Sequence, residues 1–462
     1  MRQDTLEASE LPPRCTQFIP VGTRLSGSED CLYLNIWTPS EKAAEPLPVM
    51  VWFHGGGFIL GEGAYRDDDG RELAKQGVVV VSVNYRLGVF GFLAHPALAA
   101  ENPDHPSSGN YGIEDQTAAL RWVRDNISAF GGDPDRVTIF GQSAGAVSIC
   151  AQLASPLAAG LFHRAVIQSG PCVTPMSTME AASTLGKQLS QGLECDHAEK
   201  ELDCMREAPA EDVASVLPPD PSFAFGTGYA MWWPVLDGSV LPLQFEQAFE
   251  SGRFNQVPVI NGATRDEASL LIWIAHDMRF KPLLAEQYIE RLQYLTGSPQ
   301  LAEEVRAQYP LEDYDSPLAA LTAAFSDGFF NCPARRQGFA LSRHVPVWSY
   351  QFDYEQAPFF IPWADLGAFH SAEIQYVFGM PMTFFRGDFA AGEQELAGSM
   401  MAYWQQFADH GNPNGNGPAS WPVFDERDQT LLFNLQTSVA TGVHKKACVF
   451  WQALPYLRPP YP

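Results

Sequence analysis

Residues 137–153 read VTIFGQSAGAVSICAQL. Val137, Thr138, Ile139 and Phe140 favour a strand. Gly141-Gln142-Ser143-Ala144-Gly145 turns the chain sharply, and the apolar stretch AGAVSICAQL continues as a buried helix. A serine at a strand–turn–helix junction, flanked by glycines, has the pattern of a nucleophile elbow. Side chains at 141 and 145 would strike the neighbouring strand and helix. The turn also sets Ser143 at a helix N-terminus, where free N–H groups and the macrodipole favour developing negative charge.

Outward from the elbow, apolar strand-like runs alternate with helical segments. Strands are expected at 48–54, 77–85, 165–168, 257–261 and 346–352. The second is apolar on both faces, as a central parallel strand is. Leu120, Val123, Ile127 and Phe130 recur at helical spacing before Gly131-Gly132 and Pro134 stop the helix. This alternation predicts an α/β fold around a mostly parallel twisted sheet. No repeat or long linker divides residues 1–462, so a single domain is expected. Residues 175–250 and 270–340 then form insertions over the site.

A serine nucleophile generates an oxyanion that needs preorganised donors. The strand at 48–54 runs into His54-Gly55-Gly56-Gly57-Phe58. The N–H groups of Gly56, Gly57 and Ala144 are the expected donors, and His54 reads as structural. A phosphate loop is excluded, because no Lys-Ser/Thr follows the glycines and Leu60 breaks the G-x-G-x-x-G spacing.

The serine also needs a histidine oriented by a carboxylate, in the chain order Ser, acid, His. His276, His344, His370, His410 and His444 lie well downstream. Catalytic groups of open α/β sheets gather beyond the carboxyl ends of strands. His344 lies at the wrong end of its strand and His276 too close to the acid. His410 reads as a helix terminus before Gly411, and His444 as the start of a C-terminal helix. His370, on the loop after strand 346–352, is the expected base. Asp266 and Glu267 both follow strand 257–261. Glu267 is the expected acid, and Asp266 the reserve, whose structural role is charge compensation at the N-terminus of the following helix.

The chain has 462 residues, with 29 Lys+Arg against 54 Asp+Glu, a formal net charge of −25. That sign opposes phosphate neutralisation and adhesion to anionic membranes, so neither a nucleic-acid partner nor membrane insertion is expected. No apolar run is long enough to span a bilayer. MRQDTLEASELPP has no apolar signal-peptide core. No Cys/His cluster has zinc-site spacing and Asp67-Asp68-Asp69-Gly70 lacks the rest of a calcium loop, so no metal is expected. The Asp run is assigned to the N-terminus of the helix that follows it. The chemistry calls for no cofactor.

Together these segments resemble the type-B carboxylesterase family. The match runs through SEDCLYLN at 28–35, HGGGF at 54–58, Asn84-Tyr85-Arg86, GNYG at 109–112 and FGGDP at 130–134. GQSAG, Asp266-Glu267, and His370 with Glu373 and Val377-Phe378-Gly379 complete it. The resemblance implies an α/β-hydrolase fold and a Ser143–Glu267–His370 triad. It also implies a structural Arg86–Asp115 ion pair and disulfides Cys15–Cys31 and Cys195–Cys204. A loop as short as the first contributes about 3 kcal/mol. The other four cysteines, among them Cys150 as a buried apolar residue, are expected to be free. The pairs favour a secreted or periplasmic location, with the cytoplasm as the alternative.

Four departures matter. The family's N-terminal β-meander is expected to be missing or replaced, and with it the arginine that usually pairs with Glu29. Gln142 stands where many members carry Glu. The loop from Cys15 to Cys31 has no Trp, which argues against choline esters. Small residues at 226–230, before Met231-Trp232-Trp233-Pro234, point to a roomy acyl pocket. The expected function is hydrolysis of small to medium carboxylic esters through an acyl-enzyme. The alternatives are a catalytically silent adhesion member and an acyltransferase using the same triad.

Overall fold

A computed structural model describes residues 8, 10–18, 25–41, 43–63, 68–103, 105–197, 200–218, 232–275, 283–361, 363–382, 388–415 and 419–454. The expected acyl-pocket segment 226–230, Met231, His276 and Asp67 lie outside them.

Nine strands make the central sheet. In chain order they are β1 (Leu34–Trp37), β2 (Leu47–Phe53), β3 (Val79–Val83), β4 (Gly132–Gln142), β5 (Arg164–Gln168), β6 (Val259–Thr264), β7 (Val347–Phe352), β8 (Gln429–Phe433) and β9 (Ser438–Thr441). Their spatial order is β9-β8-β7-β6-β5-β4-β2-β3-β1. All neighbours are parallel except the two edge pairs, β1 with β3 and β8 with β9.

The alternation within β2 explains its central place. Val49, Val51 and Phe53 face one apolar layer, while Met50 and Trp52 face the other, and all are buried. The first layer packs on α1 (Tyr111–Asn126) and α2 (Ala144–Ala154). Later in the chain come α3 (Ala268–Ala275), α4 (Cys332–Ser342), α5 (Ile374–Phe378), α6 (Ala391–His410) and α7 (Lys445–Ala453). The second layer packs on α5 and α6. Among the described residues no helix is long and apolar enough to cross a membrane.

Two boundaries differ from the sequence reading. β4 starts at Gly132 rather than 137, because Gly132 already pairs with Leu47 across a register shift. Phe130, expected on the buried face of α1, is 41% exposed and packs on Trp122. The chain tightens after Asn126 into a 3₁₀ turn that rotates Phe130 outward.

Between β5 and β6 lie the helices Met179–Gly192, Glu201–Glu207, Ala210–Val216 and Phe245–Ser251. Between β6 and β7, α3 and α4 bracket three further helices and a π-helical turn, Ser326–Asn331. This second excursion has its own apolar core, in which Ile272, Leu292, Val305 and Leu321 join Trp451 of α7.

The cysteine count needs correcting. Cys15–Cys31 and Cys195–Cys204 pair as expected, but Cys150–Cys172 and Cys332–Cys448 are also disulfides. No free thiol remains among the eight. Cys150 is buried in apolar surroundings, yet the β4–α2–β5 crossover brings Cys172 to it. The expected Arg86–Asp115 pair forms through two bonds of 2.8 Å, and Glu29 is exposed.

Candidate active site

Ser143 links β4 to α2 with φ 57 and ψ −123, a conformation costly for any residue with a Cβ. Its N–H donates to Gln168 O at 2.9 Å, and its carbonyl accepts from Val147 N at 3.0 Å. A Cβ at Gly145 would collide with Phe53 O, and one at Gly141 with the Gly145 backbone. The expected steric reason for both glycines therefore holds. Ala144 opens α2, so its N–H points past the helix end.

The glycine loop reaches the serine directly: a Cβ on Gly55 would lie 3.3 Å from Ser143 Cβ. Gly56 and Gly57 adopt φ 102 and 60, and the turn closes through Ile59 N and Leu60 N on Gly56 O. Among the described residues no acceptor engages the Gly56 or Gly57 N–H. His54 is buried and stacked on Tyr85 at 4.3 Å, and Tyr85 Oη donates to His54 O at 2.7 Å. Burial pushes the His54 imidazole down to about 4, so it stays neutral and structural at neutral pH.

Glu267 and His370 come from separate loops after β6 and β7. Glu267 is fully buried; its Oε1 accepts from Thr264 N at 2.7 Å and its Oε2 is bonded to His370 Nδ1. That contact sets the tautomer with Nε2 free to accept a proton. The partner of Nε2 in this structure is the Gln142 amide, 3.1 Å away, rather than Ser143. Phe330, from the π-helix, packs on the His370 ring at 4.8 Å.

Asp266 precedes α3 by two residues, at the N-terminal end where its charge is expected to compensate the helix dipole. Its N–H donates to Ala368 O and its carboxylate accepts from Ala368 N, both at 2.9 Å. It thus joins the acid loop to the histidine loop, and Arg265 pairs with it at 2.7 Å. The cap of α3 is Ser326, whose Oγ accepts from Ala268 N at 2.9 Å. Two other histidines among the described residues lie where the sequence reading put them. His344 lies 3.2 Å from Glu250 O before β7, and His410 ends α6 ahead of a left-handed Gly411. Asp69 accepts from Arg71 N at 3.0 Å, while Asp68 instead accepts from Trp52 Nε1 at 3.0 Å.

Sequence reasoning gave Glu373 no role. It is fully buried one helical turn past His370, with Oε1 3.4 Å from Gln168 Nε2 and Oε2 unpartnered. Burial, reinforced by the negative charge of Glu267, pushes it up to about 7. Its presence in a matched motif was the only signal. Among the described residues no group of His, Cys, Asp and Glu is arranged to hold a metal.

Residues 2–451 match the model of the carboxylesterase family. Fumonisin B1 esterase of Sphingopyxis macrogoltabida is 36% identical, covering 96% of this chain and 81% of that protein. Para-nitrobenzyl esterase of Bacillus subtilis (strain 168) is 38% identical, covering 89% and 80%. A solved PNB esterase superposes with a TM-score of 0.80 at 34% identity, over 97% of this chain and 90% of its own. The sheet seen here is thus the α/β-hydrolase sheet, and carboxylic-ester hydrolysis is the activity of these relatives. With a family match running from one end of the sheet to the other, the chain belongs to the carboxylesterase family.

Proposed function

We propose that this carboxylic-ester hydrolase works through an acyl-enzyme on Ser143. The observation that carries the reading is the buried Glu267–His370 pair beside the strained elbow serine. His370 Nε2 exchanges its Gln142 partner for the serine hydroxyl and takes its proton as Oγ attacks the ester carbonyl. Glu267 stabilises the imidazolium that forms. The N–H groups of Gly56, Gly57 and Ala144 receive the oxyanion; one such donor is worth about 10²–10³ in turnover. His370 then protonates the departing alcohol, and a water activated by the same imidazole releases the acid.

Ser143→Ala should abolish labelling by a fluorophosphonate and cut kcat on p-nitrophenyl esters by about 10⁵–10⁶. Near-normal turnover would refute the mechanism. The small residues Gly226, Thr227, Gly228 and Ala230 support a roomy acyl site, and relatives named for p-nitrobenzyl, fumonisin B1 and cocaine esters fit a tolerant pocket. Longer or branched acyl groups should turn over at least as well as acetyl; a marked acetyl preference would sink that part. The four disulfides support an exported protein. Thiol titration of protein from its native compartment should find no free thiol, and titratable cysteines would refute export.

A further inference from the structure

A second histidine is wired to the triad from outside it. His444 begins α7 in the left-handed conformation, with φ 56. Its Nδ1 lies 2.8 Å from Asp327 Oδ1 and its Nε2 lies 2.7 Å from Gln351 Oε1. The orientation of the Gln351 amide is fixed by its other end, since Nε2 donates to Asp353 Oδ1 at 3.1 Å. Turning it over would set its carbonyl oxygen against that carboxylate. Both nitrogens of His444 therefore face oxygen acceptors, and only an imidazolium carries two N–H donors.

Those two acceptors belong to elements that support the catalytic pair. Asp327 lies in the π-helix that places Phe330 on the His370 ring and Ser326 at the α3 cap directly after Glu267. Asn331, at the end of the same turn, donates to Arg265 O at 3.1 Å. Arg265 reaches Asp353 at 3.4 Å, which returns the chain of bonds to Gln351 and His444. The result is a closed ring around the acid–base half of the site. Cys332–Cys448 ties the start of α4 to the first turn of α7 beside it. π-Helical turns are costly to hold and concentrate at functional sites.

We propose that His444 in its cationic form is a positioning residue for ester hydrolysis: it latches the π-helix that seats Phe330 against His370. Loss of its proton removes one of the two donors and loosens that seat. The charged and titratable groups around it are Asp327 and Tyr309, whose Oη donates to Asp327 at 2.9 Å. Asp353 faces it beyond Gln351, with Arg265 and Glu355 behind. Lys445 follows it on α7, and the Arg335–Asp428 pair borders Gly442. Arginine at 444 would keep a fixed cation with several donors, and glutamine one neutral donor group.

The inference rests on the serine-esterase reading, and its test separates the two. kcat and KM on a p-nitrophenyl ester are measured from about pH 5.5 to about pH 9, with stoichiometric fluorophosphonate labelling alongside. His444→Gln should lower kcat about tenfold at the low end, leave KM within about twofold, and flatten the alkaline decline. His444→Arg should restore kcat and hold it across the alkaline range. A His444→Gln profile superimposable on the parent's, or an arginine variant no better than glutamine, would overturn the latch. Failure of the parent to label or turn over would instead overturn the esterase reading. If the variants do not fold, amide exchange in 326–331 of the parent is followed, corrected for intrinsic pH dependence. Its protection should fall as pH rises, and constant protection would overturn the latch.

Discussion

The proposed nucleophile and its proposed acid–base partners are built in opposite ways. Ser143 sits between β4 and α2, and the turn that strains it is written in the five residues 141–145, seated against β2 and β5. Gly141 and Gly145 allow the close approach, and a strained φ points the side chain outward. Glu267 and His370 stand on loops 103 residues apart in sequence. Those loops are held by Asp266 on Ala368, by Phe330 on the imidazole and by Arg265. One half of the site is thus preorganised by local backbone and the other by long-range polar contacts. The lesson is that the second half has more single points of failure away from the chemistry.

Three substitutions probe that contrast. Glu267→Gln keeps the shape but removes the charge that fixes the imidazole, and should cost about 10³–10⁴ in kcat. A loss under tenfold would mean another carboxylate orients His370. Asp266→Ala keeps all three proposed reacting groups and the backbone bond to Ala368 O, but removes the carboxylate that accepts from Ala368 N. We expect kcat to fall about 10–100-fold with KM little changed. Urea unfolding should show a cost of about 1–3 kcal/mol, because Ala368 N loses its acceptor. Unchanged kcat would show that the loops hold without the zipper.

The third substitution, at Glu373, is read in stability and not in turnover. Its folded-state value, raised from 4.5 to about 7, means that the fold favours the protonated acid. Stability associated with this group is fully present below about pH 4.5 and is lost as pH rises through 7, by about 3 kcal/mol. Glu373→Gln should flatten the fall in stability between about pH 5 and about pH 7, read as urea midpoints at both values. An identical pH slope in parent and variant would assign the loss to other groups.

The elbow, the glycine loop and most strand positions were legible because each is written in adjacent residues. Val49 to Phe53 alternate faces, and GQSAG follows a strand directly. Glu267 and His370 were picked by their place after strand ends, with the family resemblance favouring Glu267 over Asp266, and the structure pairs the two. What escaped depends on contacts between distant segments. The zipper role of Asp266 needs Ala368 opposite it, and the Gln142–His370 contact spans 228 residues. Cys332 and Cys448 are separated by 116 residues. Cys150 was misread because an apolar helix gives no sign of the cysteine across its crossover. Phe130 kept the apolar period of α1, but the helix changed pitch before reaching it.

The zipper between Asp266 and Ala368 also bears on how such enzymes can be recombined. Two loops that share backbone bonds cannot be exchanged one at a time, because a transplanted acid loop would meet a foreign histidine loop in the wrong register. Gly367, with φ 61, leaves room for the Asp266 carboxylate and so belongs to the same unit. Chimeras between relatives should therefore carry 264–268 and 366–370 as one cassette, leaving the elbow and its glycine loop to be inherited separately.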